Sequence, residues 1–360
     1  RKNRLGFAPL VWNTEALGGY VDDEGKGLSV WGDACANGEW LVRLVNAAAW
    51  GDSPAFYLSA TNTPGTPASW EYVSFPVAAS LAPWCRIGLW PHDSTTYHAW
   101  YVLNTGSLHV RSFTYDQGAW TWGSATPGYA LGSLPDACAV HPIGPYKALL
   151  VGYDDPLLWV RYVYYSGSIW TIGNKRIIWN AGSLNVVQFS DAEVLDDGTV
   201  VLALTLANHG AAYAVRYNPV TDAYSMPTLI LGGGPDDLGY RVYVSGLSKY
   251  AGRLWAVTWR SVEGSDDHPY AHHVALASSA DGLHWRDEPD LVGLHPCRGK
   301  LLVSGGKCYV AGNALVYEGD TPRKLGYDNP ALRRQYLDTA TAWGLSAPGA
   351  GSATTLGVQG

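Results

Sequence analysis

The sequence predicts an all-β protein, and three observations favour a β-propeller of four-stranded antiparallel blades. Short apolar runs rich in β-branched and aromatic residues follow turns that contain glycine, as in residues 200–206 after Asp197-Gly198. The pattern returns about every fifty residues, which indicates a repeat architecture. The composition agrees, because 47% hydrophobic and 15% charged residues with 42 glycines suit short strands and tight turns.

The clearest repeat lies between residues 191 and 224. Residues 192–195 and 199–206 predict two paired strands, and residues 212–217 predict a third. The turn at residues 218–222 leads to a fourth strand at the edge. One repeat therefore corresponds to one blade.

The same residues recur at matching places in the other repeats. His109-Val110-Arg111, Trp159-Val160-Arg161 and Ala214-Val215-Arg216 mark successive third strands, and Asp33-Ala34-Cys35-Ala36 resembles Asp136-Ala137-Cys138-Ala139 at the start of innermost strands. Stacking such sheets around an axis covers their faces and protects their edges. We predict six blades, the last one abbreviated; five or seven also fit, and an array of β-sandwiches is the weaker alternative.

The repeats divide the chain into three parts. Residues 1–27 form an N-terminal segment, in which residues 7–12 could be a strand that closes the ring, and residues 28–325 form the propeller. Residues 326–360 predict a short helix, with Asn329 as its cap and Pro330 in its first turn, and then a flexible connector rich in Gly, Ala, Ser and Thr. Since the chain starts at Arg1 and its only methionine is Met226, we expect it to be part of a longer polypeptide.

The charge balance argues against two classes of partner. The formal net charge is −7, and no stripe of lysine and arginine offers a surface for nucleic acid or for an anionic membrane. No apolar segment approaches the roughly 18 residues of a membrane span. We therefore expect no nucleic-acid partner and no membrane insertion.

Three turns carry motifs of known propeller families. The Asp-box of sialidase-like propellers resembles the segment Ser279-Ala280-Asp281-Gly282-Leu283-His284-Trp285, and residues 114–120 form a degenerate second copy. Residues 217–224 resemble the corresponding turn of a Kelch repeat. The resemblance implies a structural turn between the third and fourth strands, on the face away from the ligand site, in which Asp caps backbone donors and Gly adopts a positive φ.

Four cysteines occupy equivalent positions in the repeats. Cys35, Cys85, Cys138 and Cys297 are predicted in the innermost strands of different blades, at matching depths. Small apolar side chains suit such positions, and cysteines that point around a ring do not pair. We therefore expect reduced core thiols without a metal site.

The candidate ligand site lies at the mouth of the central channel. Asp33, Asp136 and Asp191 stand at or near the start of innermost strands, where like charges would raise one another's pKa or attract a cation. Alternatively, they cap backbone groups at strand starts, and the sequence leaves metal binding open. The loop of residues 263–273 should overhang the same mouth, and Trp50 falls outside the periodic packing positions. The candidate ligand-binding residues are Asp33, Asp136, Asp191, Trp50, Asp266 and His268.

Two functions compete. We expect a non-enzymatic binding or structural module of a larger surface-exposed or virion-type tail or filament protein, extracellular or on the virion surface, without cofactor. Its partners would be other segments or subunits of the assembly, or a surface glycan. The alternative is a propeller glycoside hydrolase, either sialidase-like or arabinanase-like, since Asp191-Ala192-Glu193-Val194 before an Asp-Gly turn resembles the first strand of propeller arabinanases. Against a sialidase, the arginines of the third strands lie too far out to form a cluster, and Arg86 is the sole remnant of an early arginine motif.

Overall fold

A computed structural model describes the chain from residue 33 to residue 320. Gaps in this description fall at 39, 47–55, 63–70, 75–80, 82–84, 117, 125, 181–185, 207–210, 232–239, 263–272, 289–298, 305–306 and 313–315. The predicted ring-closing strand at residues 7–12, the helix after Asn329 and the C-terminal connector lie outside the described residues. Within that description, no helix is long and apolar enough to cross a membrane.

The described residues form 27 strands in six sheets. Sheet one contains β1 (Ala34–Asn37), β2 (Trp40–Asn46), β3 (Phe56–Thr61) and β4 (Glu71–Ser74). Sheet two contains β6 (Gly88–Pro91), β7 (Thr96–Val102), β8 (Ser107–Asp116), β9 (Ala119–Trp122) and β10 (Tyr129–Ala130). Sheet three contains β5 (Cys85–Arg86), β11 (Ala137–Gly144), β12 (Lys147–Asp154), β13 (Leu157–Tyr165), β14 (Trp170–Ile172) and β15 (Arg176–Asn180). Sheet four contains β16 (Val186–Val194), β17 (Val200–Leu206), β18 (Ala211–Asn218), β19 (Ala223–Tyr224) and β20 (Thr228–Leu231). Sheet five contains β21 (Tyr240–Tyr250), β22 (Arg253–Val262), β23 (His273–Ser279) and β24 (Trp285–Asp287). Sheet six contains β25 (Gly299–Ser304), β26 (Lys307–Gly312) and β27 (Val316–Asp320).

The sheets are arranged as a β-propeller, which confirms the predicted fold class. The first strand of each sheet, taken in the order β1, β6, β11, β16, β21 and β25, contacts the first strand of the next sheet, and β25 contacts β1. These six strands therefore surround a common axis. Five sheets have four strands or more, and the sixth has three among the described residues.

The register within the sheets follows the sequence repeat. Val110, Val160 and Val215 all lie in third strands, β8, β13 and β18, where each side chain is buried. The arginine that follows each valine is half-buried on the opposite face, because successive side chains of a strand alternate. The recurring triplet therefore marks the same place in three blades.

The fourth strand of sheets two, three and four is split into two pieces. In each case both pieces pair with the third strand: β9 and β10 with β8, β14 and β15 with β13, and β19 and β20 with β18. After the first piece, the amide groups of Gly123, Gly173 and Ser225 donate to Ser112, Tyr162 and Arg216 of the third strand, and the chain then leaves the ladder. The sequence predicts a fourth strand at the edge of each blade, and it does not indicate this division into two pieces.

The apolar core lies in layers between consecutive sheets. One layer joins sheets three and four through Leu149, Val151 and Leu202, and corresponding layers fill the spaces between sheets one and two, two and three, and four and five. Ala34, Leu41 and Leu302 join the last sheet to the first. Most described tryptophans belong to these layers.

The cysteine prediction is only partly correct. Cys35 and Cys138 are buried in β1 and β11, and burial raises the pKa of the Cys35 thiol to about 12, so this thiol stays protonated. Cys85 does not lie in the innermost strand of sheet two. It belongs to β5, which pairs in parallel with β11 and places Cys85 opposite Cys138. The chain thus runs beside sheet three before it enters sheet two at Gly88, and Cys297 lies outside the described residues.

The predicted Asp-box segment forms a tight turn between the third and fourth strands of sheet five. Asp281 accepts hydrogen bonds from the amides of Leu283 and His284, each 2.8 Å long. Gly282 has a φ of 74°, and Trp285 packs against the apolar layer between sheets four and five. The turns after Tyr115 and Tyr217 occupy the corresponding positions in sheets two and four. All three turns therefore connect a third strand to a fourth strand, as predicted.

Candidate functional site

Charged side chains from several innermost strands meet at the axis of the propeller. Arg86 Nη2 lies 3.2 Å from Asp33 Oδ1 and 3.1 Å from Asp191 Oδ2. Asp33 precedes the first strand of sheet one and Asp191 belongs to the first strand of sheet four, on the opposite side of the ring. An arginine that contacts both must therefore lie near the centre of the ring.

Two further side chains complete this group, which we call the central cluster: Asp33, Arg86, His141, Asp191 and Lys300. Lys300 Nζ lies 2.9 Å from Asp33 and 3.9 Å from Asp191, and His141 Nδ1 lies 3.4 Å from Asp191. Four of the six sheets, one, three, four and six, therefore contribute a charged group, and sheet three also contributes the histidine.

Both aspartates also bind backbone amides, and they do so in the same way. Asp33 accepts hydrogen bonds from the amide of Ala34 in its own sheet and from Leu89 in the next sheet, at 2.8 and 2.9 Å. Asp191 accepts from Ala192 and, in the next sheet, from Leu247. Each carboxylate thus links two consecutive innermost strands, which agrees with the capping alternative.

The cluster balances its charges internally. Burial alone would raise the pKa of Asp191, but Arg86 and Lys300 outweigh burial and hold this pKa below its usual range. Burial alone would lower the pKa of Lys300, and the two aspartates raise it instead. Two carboxylates therefore face two permanent cations, as buried ion pairs require.

His141 is the neutral member of the cluster. Its side chain is 3% exposed, and burial lowers its pKa although Asp191 acts in the opposite direction. The neutral ring can therefore donate a hydrogen bond from Nδ1 to the carboxylate of Asp191 without adding a third cation.

Glu193 lies two residues after Asp191 in β16 and differs from it in electrostatics. Its side chain is half-buried, and burial raises its pKa in spite of Lys300. Its carboxylate accepts a hydrogen bond from the amide of Val194 at 3.1 Å. Two acidic residues of one strand thus have pKa values displaced in opposite directions, an arrangement that occurs at functional sites.

Asp136, predicted beside Asp33 and Asp191, lies elsewhere. It is exposed and accepts a hydrogen bond from the amide of Asp155, in the turn between β12 and β13. The reason is the length of β11, which has eight residues where β1 has four. The residue before the longer strand lies at the end of the sheet, and His141 takes the central position instead.

The other candidate residues are not placed by the structure. Trp50, Asp266 and His268 lie outside the described residues, so their ligand-binding role stays a prediction. In the part of the chain that the structure describes, no group of three or more His, Cys, Asp and Glu side chains could hold a metal ion. Arg86 and Lys300 supply the positive charge between Asp33 and Asp191.

The ligand-binding residues predicted from the sequence do not include Arg86, His141, Glu193 and Lys300, although Arg86 and Glu193 belong to segments that resemble motifs of known families. The spacing of Asp191 and Glu193 was an available signal, since residues two apart on a strand point to the same face. Lys300 stands in an otherwise apolar predicted innermost strand, where a charged residue needs a partner. Nothing in the sequence around Arg86 indicated that it reaches two sheets.

Comparisons with known proteins show the fold. No protein-family model matches the sequence, and no curated protein matches it. A protein of unknown function from Dyadobacter fermentans matches with a TM-score of 0.51 and 9% identity over 88% of this chain and 98% of that chain. The chain is a β-propeller.

Glycoside hydrolases with this fold are among the other similar structures. The Trypanosoma rangeli sialidase matches with a TM-score of 0.50 and 9% identity over 87% of this chain and 59% of that chain. An endo-arabinase from Bacteroides thetaiotaomicron matches with a TM-score of 0.43 and 11% identity over 67% of this chain and 93% of that chain. At such identities the likeness concerns architecture, and function depends on the site.

Proposed function

We propose that the chain is a non-catalytic β-propeller that binds a ligand or partner, as a module of a larger surface-exposed or virion-type assembly. The observation that carries this proposal is that the carboxylates of Asp33 and Asp191 are occupied by ion pairs and hydrogen bonds within the protein. These are the carboxylates nearest the axis that the sequence offered for catalysis, and both are engaged by two cations and by two backbone amides.

A glycosidase needs two carboxylates that reach the sugar, roughly 5 to 10 Å apart, one of them protonated as the general acid. Asp33 and Asp191 are 7% and 3% exposed, so a sugar cannot approach them without opening the cluster. The low pKa of Asp191 also prevents it from donating a proton near neutral pH. The central cluster therefore supports a role in joining blades rather than in hydrolysis.

The proposal is tested by measuring turnover. We expect no hydrolysis of chromogenic sialosides, arabinosides or other common glycosides by the wild-type chain. Loss of an acid–base group lowers a true glycosidase rate about a hundredfold to ten-thousandfold. Measured turnover that disappears in Asp33→Asn or Asp191→Asn, with an unchanged circular dichroism spectrum, would refute the non-catalytic role.

One observation favours a glycoside hydrolase as the second candidate. Glu193 has a raised pKa and stands two residues from the ionised Asp191, and an acid–base pair of a hydrolase shows such a separation of pKa values. The shared fold with a sialidase supports this candidate at the level of architecture. Glu193→Gln would then abolish turnover while leaving the melting temperature close to that of the wild type.

A further inference from the structure

A separate cleft opens between sheets four and five, at the end of the propeller where their turns lie. Its volume is about 280 Å³. The β16–β17 turn contributes Asp196 and Asp197, the β21–β22 turn contributes Gly252, and the Asp-box turn contributes Ala280 and Asp281. This cleft contains no member of the central cluster.

The charges that line the cleft are balanced. Asp196, Asp197 and Asp281 face Lys249, Arg216 and Arg253. An ion of either sign would therefore meet a like charge along with its counter-charge, and electrostatics favours a neutral ligand. The leucines at positions 195 and 254 add an apolar portion to the lining.

The acids and bases stand as adjacent pairs. Arg216 Nη2 lies 3.2 Å from Asp197 Oδ2, and Lys249 Nζ lies 2.6 Å from Asp196 Oδ1. The side chains of Asp196 and Asp197 are 90% and 59% exposed, so they retain acceptor capacity for a ligand. Each pair thus presents donors and acceptors side by side.

We infer that this cleft binds a neutral sugar unit through two vicinal hydroxyl groups. A hydroxyl group both donates and accepts, so two adjacent hydroxyls match a carboxylate next to a guanidinium or an ammonium group. The volume lies just below the roughly 300 Å³ at which sites for larger ligands begin, which suits one sugar ring. Leu195, which is half-buried, offers apolar contact for the carbon-bound face of the ring.

This inference deepens the proposed binding function and rests on it for its biological sense. The two can fail separately. Glycoside turnover would refute the non-catalytic role whatever the cleft binds, whereas failure of binding at the cleft leaves the non-catalytic role intact.

The test measures binding of four methyl glycosides, of glucose, galactose, mannose and fucose, to the whole chain. Binding is measured by ligand-observed NMR titration. We expect at least one to bind. Arg216→Ala should weaken that binding about tenfold or more, since it removes a charged hydrogen-bond donor. Ala280→Trp should weaken it similarly by filling the cleft, without removing any polar partner.

Arg176→Ala is the matched control. Arg176 also forms an exposed ion pair, with Asp222 at 2.8 Å, but it does not line the cleft, so this variant should bind as the wild type does. The inference is overturned if none of the four glycosides binds, or if Arg216→Ala and Ala280→Trp both bind like the control. Tighter binding of methyl sialoside than of every neutral glycoside would also overturn it, because the balanced charges predict the opposite order.

Discussion

Replacing Arg86 by methionine should destabilise the propeller strongly. The substitution keeps an unbranched apolar side chain, which matches arginine as far as Nε, but removes the guanidinium group that lies 3.2 Å from Asp33 and 3.1 Å from Asp191. Lys300 stays 2.9 Å from Asp33 but 3.9 Å from Asp191, so Asp191 loses its nearer cation. Breaking a buried ion pair by removing one partner costs about 3–5 kcal/mol, and we expect a loss in this range.

The assay is urea-induced unfolding at neutral pH, followed by tryptophan fluorescence. Arg176→Met is the control, because Arg176 and Asp222 form an ion pair whose side chains are 52% and 39% exposed. An exposed pair contributes about 0–1 kcal/mol. If Arg86→Met and Arg176→Met lower the free energy of unfolding by the same amount, the central cluster does not stabilise the ring as we argue.

A second substitution separates charge from packing at the same site. Asp191→Asn removes the negative charge that Arg86→Met leaves buried, so the double variant should lose less stability than the sum of the two single variants. Coupling between groups in contact is about 0.5–3 kcal/mol. Strict additivity of the two losses would mean that Arg86 acts through its packing alone.

Three further predictions concern other features of the fold. Gly282→Ala should destabilise the protein more than Gly167→Ala. Both glycines have a positive φ, 74° and 77°, but only at Gly282 would the new Cβ lie 2.5 Å from the side chain of Val201. Equal losses of stability in urea unfolding would contradict this prediction. His141→Gln should reduce the loss of stability as the pH falls below 6.5. The pKa of His141 is lower in the folded than in the unfolded chain, so the unfolded state of the wild type takes up the proton first. Unfolding curves between pH 7 and pH 5 measure this loss, and a parallel decline in the wild type and the variant would refute the prediction. Chelator should leave the melting temperature unchanged, because the side chains of Arg86 and Lys300 already supply positive charge between the aspartates of the central cluster. A melting temperature that falls with chelator and returns with calcium would show a bound ion.

The fold was largely predictable because local signals and the repeat agree. An apolar run such as residues 200–206 after an Asp-Gly turn indicates a strand from composition alone, and β17 (Val200–Leu206) has these bounds. The triplets around Val110, Val160 and Val215 then fixed equivalent positions in three sheets. The split fourth strands were missed because they are short and exposed, and neither burial nor period marks them in the sequence.

The central cluster was predictable only in part. Similar sequences around Asp33 and Asp136 suggested equivalent depths, whereas depth along the axis depends on strand length and pairing register. Ala34 pairs with Arg43 in the middle of its partner strand, and Ala137 pairs with Tyr153 near the end of its partner. Pairing of this kind is a long-range property, so a local motif cannot report it.

The interrupted fourth strands bear on how copies of this propeller can be crowded together. An uninterrupted edge strand offers a row of unpaired amide and carbonyl groups on which a neighbouring molecule can continue the sheet. In sheets two, three and four, the outermost pieces contain between two and five residues, too few for a long foreign strand to align against. Copies displayed side by side would therefore have little tendency to join through the outer edges of these three sheets into a β-aggregate.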